Sequence, residues 1–391
     1  MDWNAYHQIP EPLGFDWEGK EIDPSQFKRA WFDVPYANQS PSQKLDIVLP
    51  ERGSAPYPVV FYVPGGAWLS GGKRSATMAC LYKVLSQGYA IAAIDYRYST
   101  EALWPAQIFD VKAALRFVKA HAGEFSLDSS RIIAWGNSAG GHLVNMLAAT
   151  GHGHVLEDRY QGNSEFDCSI SGLISWYSFG DLYEADLCDQ MAETKTYTYD
   201  PIRNTSSFAG GTVAGEAGSS ALGTSAESPS ATSSASLNAS APDPAAHGPQ
   251  ISGPTFRGSQ VSDLVSPGSQ GSDPASLTPF ERLLGFEPRN FHGASAMASP
   301  IEFVDPSFPP ALFQHGKEDI YVPCTQSVGM VRRINDLCGS KRAHVELFEG
   351  GHGSPAIKAD ANIDHCIDFM ESIFSSAPCP RTDLPAKIDL R

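Results

Sequence analysis

Three residues of this chain have the types and the order needed to turn a hydroxyl into a nucleophile: Ser138, Asp319 and His352. Ser138 lies in Gly136-Asn137-Ser138-Ala139-Gly140, after the apolar run 131–135 and ahead of an amphipathic stretch reaching residue 149. A serine flanked by glycines where a strand turns into a helix reads as a nucleophile elbow. The turn is so tight that a side chain at either glycine would strike the neighbouring strand or helix, while the serine is pushed outward. In a chain with 35 glycines the pattern alone is weak evidence, so its partners decide. A serine hydroxyl is a poor nucleophile at neutral pH and needs a base, which in turn needs an orienting acid. His352, in Glu349-Gly350-Gly351-His352-Gly353, would take the Ser138 proton and return it to a leaving group. Asp319, in Gly316-Lys317-Glu318-Asp319-Ile320-Tyr321, would fix the imidazole tautomer and stabilise the imidazolium. Its neighbour Glu318 is the rival for the acid.

Acyl transfer also needs donors for a developing oxyanion. Pro64-Gly65-Gly66-Ala67-Trp68 follows the apolar run 59–63, and its small residues leave backbone N–H groups free to point into a site. The Ala139 N–H, directly after the nucleophile and at the start of a helix, is a further donor. Candidates to shape a substrate pocket are Trp68, Trp104, Trp176, Tyr177, Phe179, Ile320 and Tyr321, which flank strand ends or these loops. Ordinary core packing is the competing account of each, and Trp68 is the favoured candidate because it follows the oxyanion loop directly.

These residues need a frame that brings distant loops to one edge. Short β-branched runs at 44–49, 59–63, 90–95, 131–135, 172–176, 311–315 and 344–348 read as strands. Longer amphipathic runs at 75–87, 105–122, 138–149, 324–337 and 356–375 read as helices. Alternating β and α units predict an α/β fold, a mostly parallel central sheet with helices on both faces. Reactive residues of such sheets gather at the carboxyl ends of the strands, and Ser138, Asp319 and His352 each follow such an end in the chain order serine, acid, histidine.

From 205 to 278 the composition shifts abruptly to Ser, Ala, Gly and Pro, with no aromatic residue between Phe208 and Phe256. So little apolar surface does not offset the entropy of ordering, and a flexible insertion is expected there, between an N-terminal part (1–204) and a C-terminal part (279–391) of one domain. The net charge of −16 disfavours nucleic acid as a partner. The seven cysteines show no metal-ligand or redox spacing, so reduced thiols and no metal or cofactor are expected. No run is long and apolar enough for a membrane span, and Met1-Asp2-Trp3-Asn4-Ala5-Tyr6-His7 does not read as a signal peptide, which points to a cytoplasmic protein.

Together these motifs resemble the α/β-hydrolase superfamily, in particular its hormone-sensitive-lipase-like carboxylesterases and the related acetyl-xylan and feruloyl esterases. The resemblance covers nearly the whole chain outside the insertion. It takes in Pro64-Gly65-Gly66-Ala67-Trp68, Asp95-Tyr96-Arg97, Trp104-Pro105-Ala106-Gln107, the elbow extended through Gly141-His142-Leu143, and Ser299-Pro300-Ile301-Glu302-Phe303. It implies oxyanion donors at Gly66, Ala67 and Ala139, with Gly65 in reserve, and a small helical cap that includes Phe280-Glu281-Arg282-Leu283-Leu284. Pro64 and Ala67 depart from the family's His and third Gly, which implies a differently braced loop.

The expected activity is cleavage of small or medium carboxylic esters, acetylated or feruloylated carbohydrates among them, through an acyl-enzyme. An amidase of the arylformamidase or peptidase type is the enzymatic alternative. A hydrolase-fold protein that binds a ligand without turnover is the other.

Overall fold

The computed structural model describes residues 21–185, 277–339 and 341–375, together with the backbone of the short strands 197–200, 205–208 and 211–212. Its frame is an eight-stranded sheet in the order β1-β2-β4-β3-β5-β6-β10-β11. The strands are β1 (Ala30–Pro35), β2 (Lys44–Val48), β3 (Tyr57–Val63), β4 (Ala90–Ile94), β5 (Leu127–Asn137), β6 (Gly172–Trp176), β10 (Ala311–Gly316) and β11 (Ala343–Phe348). β1 with β2 and β2 with β4 pair antiparallel, and every other pairing is parallel. Three further strands, β7 (Tyr197–Asp200), β8 (Thr205–Phe208) and β9 (Gly211–Thr212), pair antiparallel in a separate sheet.

The period-two alternation of the strands divides the core between the faces of the sheet. Val59, Phe61 and Val63 of β3, and Ile132 and Ala134 of β5, lie on one face. Val60 and Tyr62, and Ile133 and Trp135, lie on the other. The first face is covered by helices α1 (Ala106–Ala120), α2 (Ala139–Thr150) and α5 (Thr325–Cys338), which contribute Ile108, Leu115, Leu143, Val144, Val328 and Val331. The second is covered by the 3-10 segment Ala76–Gln87 and by α7 (Asp360–Ser375), through Leu81, Val84, Ile363 and Ile367. This is the mostly parallel sheet with helices on both faces that the alternating runs predict. Shorter helices are α3 (Pro279–Leu284), α4 (His292–Ala296) and α6 (Pro355–Lys358).

Where the elements differ from expectation, local hydrogen bonding accounts for it. The 75–87 run is not a regular α-helix: the Ser75 hydroxyl pairs with Thr77 Oγ1 at 2.8 Å instead of capping, and Met78 is kinked. The 356–375 run breaks at Ala359, whose backbone is extended between α6 and α7. The expected cap helix forms as α3, held by a reciprocal capping box between Thr278 and Glu281 and closed by Gly285 at φ 79°. By its contacts the chain divides into one unit of Met1–Val213 with Asp273–Arg391 and a second of Ala214–Ser272. The stretch 205–278 expected as an insertion opens with the paired backbone of β8 and β9 and ends at the start of the α3 cap. Its remainder lies outside the described residues. No helix of the described residues is long and apolar enough to cross a membrane.

Because β3, β5, β6, β10 and β11 run parallel, the loops that follow them open on one edge of the sheet. That edge receives Gly65–Trp68, Ser138, Tyr177, Asp319 and His352.

Candidate active site

Ser138 follows β5 and begins α2 with φ 52° and ψ −123°, a strained conformation for a residue with a side chain. Its N–H donates to Trp176 O at 2.9 Å, and its own carbonyl accepts the first helical bond, from His142 N at 2.9 Å. Glycine is required around it. A Cβ on Gly140 would lie 2.5 Å from Pro64 O and closer still to Val63 O at the end of β3, and one on Gly136 would meet Gly140 in the helix.

The Ser138 hydroxyl is 2.9 Å from His352 Nε2, and His352 Nδ1 is 2.7 Å from Asp319 Oδ2. A carboxylate only accepts, so Nδ1 carries the hydrogen and Nε2 is left to accept from the hydroxyl. Asp319 is 3 % and His352 8 % exposed, so little water screens the pair. The other carboxylate oxygen, Asp319 Oδ1, accepts from Tyr321 N at 3.0 Å and Val322 N at 2.9 Å. Burial by itself would raise this carboxyl group, but the adjacent His352 and His315 outweigh it and hold Asp319 well below the ordinary carboxylate range. Glu318, the rival acid, instead accepts from the Gly350 N–H. Together with Lys317 N donating to Phe348 O at 2.8 Å, it ties the acid loop to the histidine loop.

The Gly65–Trp68 loop turns through positive φ at Gly66 (124°), Ala67 (54°) and Trp68 (58°). A side chain on Gly66 would run into Ser70, so this turn needs glycine there. Gly65 N donates to Asn137 Oδ1 at 3.2 Å, so its N–H is already engaged. The Gly66, Ala67 and Ala139 N–H groups donate to no atom of the described residues. Gly65 itself lies against Ser138, with an ideal Cβ position 3.2 Å from Ser138 Cβ. Two hydroxyls hold the loop where Pro64 stands in place of histidine. Tyr96 donates to Pro64 O at 3.1 Å, and Tyr62 donates at 3.0 Å to the Asn137 Oδ1 that also receives Gly65. Sequence reasoning did not single out Asn137, Tyr62 or Tyr96 as braces. Asn137 was visible only as the variable position of the elbow.

The pocket candidates separate. Trp68 is 1 % exposed and sealed among Phe179 (ring centroids 5.4 Å apart), His142 (5.2 Å) and Phe280 of α3 (5.9 Å). The left-handed backbone at Ala67 and Trp68 turns the indole into the core, where it has no surface for a ligand, so the expectation for Trp68 is corrected. Phe179, in the same stack, goes with it. Trp176 is fully buried on the opposite face of the sheet against Trp135 (5.0 Å), because period-two alternation along β6 directs it there. Tyr177, 2 % exposed, lies with its ring edge-on to His352 at 4.7 Å and hydrogen-bonds Asn137, so it supports the site from beneath. Burial holds its phenol in the neutral form, well above the ordinary tyrosine value. Trp104 is half-buried against His142 (5.6 Å), and its backbone N–H donates to Leu283 O of α3 at 2.8 Å. Ile320 is exposed, and half-buried Tyr321 stands over His352 at 5.9 Å.

A family model described as BD-FAE matches residues 45–214 and 257–334, well over half of the chain. The chain belongs to the BD-FAE family. Membership places it among the α/β hydrolases, on the carboxylesterase side that its motifs resemble. The probable carboxylic ester hydrolase LipM of Mycobacterium tuberculosis is 36% identical over 154 residues, which take in 38% of this BD-FAE chain and 34% of that relative, about a third of its length. Among solved structures, a bifunctional GH43-CE protein of Bacteroides eggerthii has a TM-score of 0.62 at 23% identity, over 88% of this chain and 35% of that one. A truncated carbohydrate esterase from gut microbiota has a TM-score of 0.60 at 24% identity, over 91% of this chain and 100% of that one. At these identities the likeness is one of fold.

Proposed function

We propose that the chain is a serine hydrolase that cleaves carboxylic esters through an acyl-enzyme. The observation that carries this reading is the continuous relay from Asp319 Oδ2 through His352 to Ser138 Oγ, at 2.7 and 2.9 Å. Ser138 Oγ attacks the ester carbonyl while its proton passes to His352 Nε2. The oxyanion of the tetrahedral intermediate is received by the N–H groups of Gly66, Ala67 and Ala139. Collapse expels the alcohol with the proton from His352. Water, deprotonated by the same imidazole, then releases the acid and restores Ser138. Asp319 stays ionised throughout and stabilises the imidazolium that forms twice in each cycle.

The names of the relatives favour an ester over an amide, and those of the solved neighbours favour acylated carbohydrates as the substrate class, with small or medium acyl groups such as acetyl or feruloyl. The test sets p-nitrophenyl acetate and acetylated and feruloylated sugars beside N-formylkynurenine and a dipeptide amide, together with fluorophosphonate labelling. Ester turnover and labelling, both abolished in Ser138→Ala, are expected. Turnover of amides but not esters would overturn the substrate class, and absence of both labelling and hydrolysis would overturn the enzyme.

A further inference from the structure

The carboxylate that orients His352 carries a second histidine. His315, near the end of β10, is fully buried. Its Nε2 lies 2.7 Å from Val322 O and 3.2 Å from Asp319 Oδ2. Both neighbours are acceptors, so Nε2 carries a hydrogen, which bonds Val322 O while Asp319 Oδ2 lies within ion-pair range of the same N–H. On the other side of the ring, Nδ1 is 2.8 Å from Ser327 Oγ in the first turn of α5. The Asp319 oxygen that faces His315 is the one that receives His352 Nδ1, whereas Oδ1 is occupied by backbone donors. We propose that His315 is a positioning residue that shares the Asp319 carboxylate with His352 and thereby sets how firmly His352 holds a proton. This role rests on the reading of Ser138, His352 and Asp319 as a relay.

The sign follows from the sharing. A carboxylate oxygen divides its attraction among the donors on it, so the N–H of His315 weakens the pull that Asp319 exerts on the His352 imidazolium. A general base works best when its proton affinity matches the working pH, because it must both take the proton and return it. Without the His315 N–H the carboxylate leans on His352 alone, the imidazolium is favoured, and the base stays protonated to higher pH. Hydrogen bonding of the Ser327 hydroxyl to Nδ1 makes Nε2–H a stronger donor, so its loss acts in the same direction but more weakly.

Other ionisable groups face this cluster. Tyr177 and Tyr321 present their rings to His352, and the Cys324 thiol beside Asp319 is pushed up by burial and by that carboxylate. Glu318 and Lys317 on the acid loop are engaged with Gly350 and Glu349. Substituting His315 removes none of them, so a displaced profile reports on His315 itself.

The experiment is the pH dependence of kcat/KM on p-nitrophenyl acetate for the full chain, comparing wild type with His315→Leu, His315→Gln and Ser327→Ala, with Ser138→Ala as reference and thermal melting to establish folding. The acid limb of His315→Leu is expected to move up by about 0.5–1 pH unit. His315→Gln, whose amide keeps a donor, should return most of the way, and Ser327→Ala should move up by less than the leucine variant. An acid limb unmoved or displaced downward in folded His315→Leu, whatever the change in kcat, overturns the proposal. If the leucine variant does not fold, Ser327→Ala decides by the same criterion. Full turnover by Ser138→Ala would take down the relay reading itself, a result distinct from an unmoved limb in an enzyme that needs Ser138.

Discussion

The elbow makes a demand that one methyl group can test. In Gly140→Ala the new Cβ would stand 2.5 Å from Pro64 O and nearer still to Val63 O, both backbone atoms in or beside the central strand β3. A relaxed carbon–oxygen approach is about 3.4 Å, so α2 must lift from the sheet by about 1 Å. Overpacking of this kind costs about 1–3 kcal/mol. Alanine's better helix propensity returns about 1 kcal/mol at most, and two backbone clashes place the cost at the upper end of that range, for a net loss of about 2 kcal/mol. For a chain of 391 residues that lowers the melting temperature by roughly 2–4 °C. The effect on rate should exceed the effect on stability, because Ser138 rides on the segment that moves. A displacement of about 1 Å breaks the 2.9 Å contact with His352 Nε2 and withdraws the Ala139 N–H, for a loss of about 100-fold in kcat.

The assays are calorimetry and p-nitrophenyl acetate turnover at a temperature where the variant is fully folded. Gly123→Ala serves as the control, since a Cβ there has nothing within 4 Å, and wild-type behaviour is expected of it. A Gly140→Ala protein melting within about 1 °C of wild type and turning over within about twofold of its rate would refute the claim that close approach of the strand and helix holds the nucleophile.

Other outcomes follow from the same geometry. Asp319→Asn should keep the fold and lower kcat by about 10⁴-fold, as in unrelated triads, because an amide no longer fixes the His352 tautomer; loss of less than tenfold in steady-state kinetics would point to another acid. Asn137→Ala removes the acceptor that holds Gly65 N and Tyr62, and should lower kcat by about tenfold with KM unchanged, since the oxyanion donors serve the transition state; a rise in KM alone would refute it. His142 is fully buried and pushed down to about 4 by burial, against a weaker opposing effect of its bond to Ala298 O. The unfolded chain therefore binds this proton between pH 6.5 and 4 while the folded chain does not, so stability falls with acidification across that window by about 3 kcal/mol. His142→Gln should flatten the melting temperature against pH there, and identical slopes for the two proteins would refute the assignment.

What could be read in advance was local. The glycines of the elbow and of the Gly65–Trp68 loop announce themselves because turns with a tight approach or positive φ exclude side chains, and that exclusion leaves a trace at fixed spacing. Strand runs such as 59–63 and 131–135 are buried on both faces, so their apolar continuity is the signal itself. β1 was missed because it is a short, half-exposed edge strand with no fully buried residue: its pairing shifts register between Trp31 and Val34, and Asp33, at φ 54°, carries ion pairs to Lys73 and Arg74. The aromatic residues near strand ends were illegible for a different reason. An indole suits a pocket wall as well as a core, and only the path of the backbone distinguishes Trp68, turned inward, from Tyr321, left beside His352.

The contacts that escaped prediction share one property: each reaches the site through a hydrogen bond to another side chain or loop, which spacing does not encode. Asn137 joins the elbow to the oxyanion loop, Glu318 joins the acid loop to the histidine loop, and His315 joins the acid to α5. Each bond spans the ends of different elements, and the parallel register of the sheet makes that possible. Gly316 at the end of β10 sits opposite Phe348 at the end of β11, so the acid and histidine loops start side by side. A Cβ on Gly316 would strike Gly350 and Gly351, so the absence of a side chain there lets the histidine loop lie across the acid strand. The sheet therefore brings the loops into range, while these cross-links hold Ser138, His352 and Asp319 at hydrogen-bond distances of 2.9 and 2.7 Å. Substitutions at the cross-links should accordingly alter rate and pH dependence before they alter the fold.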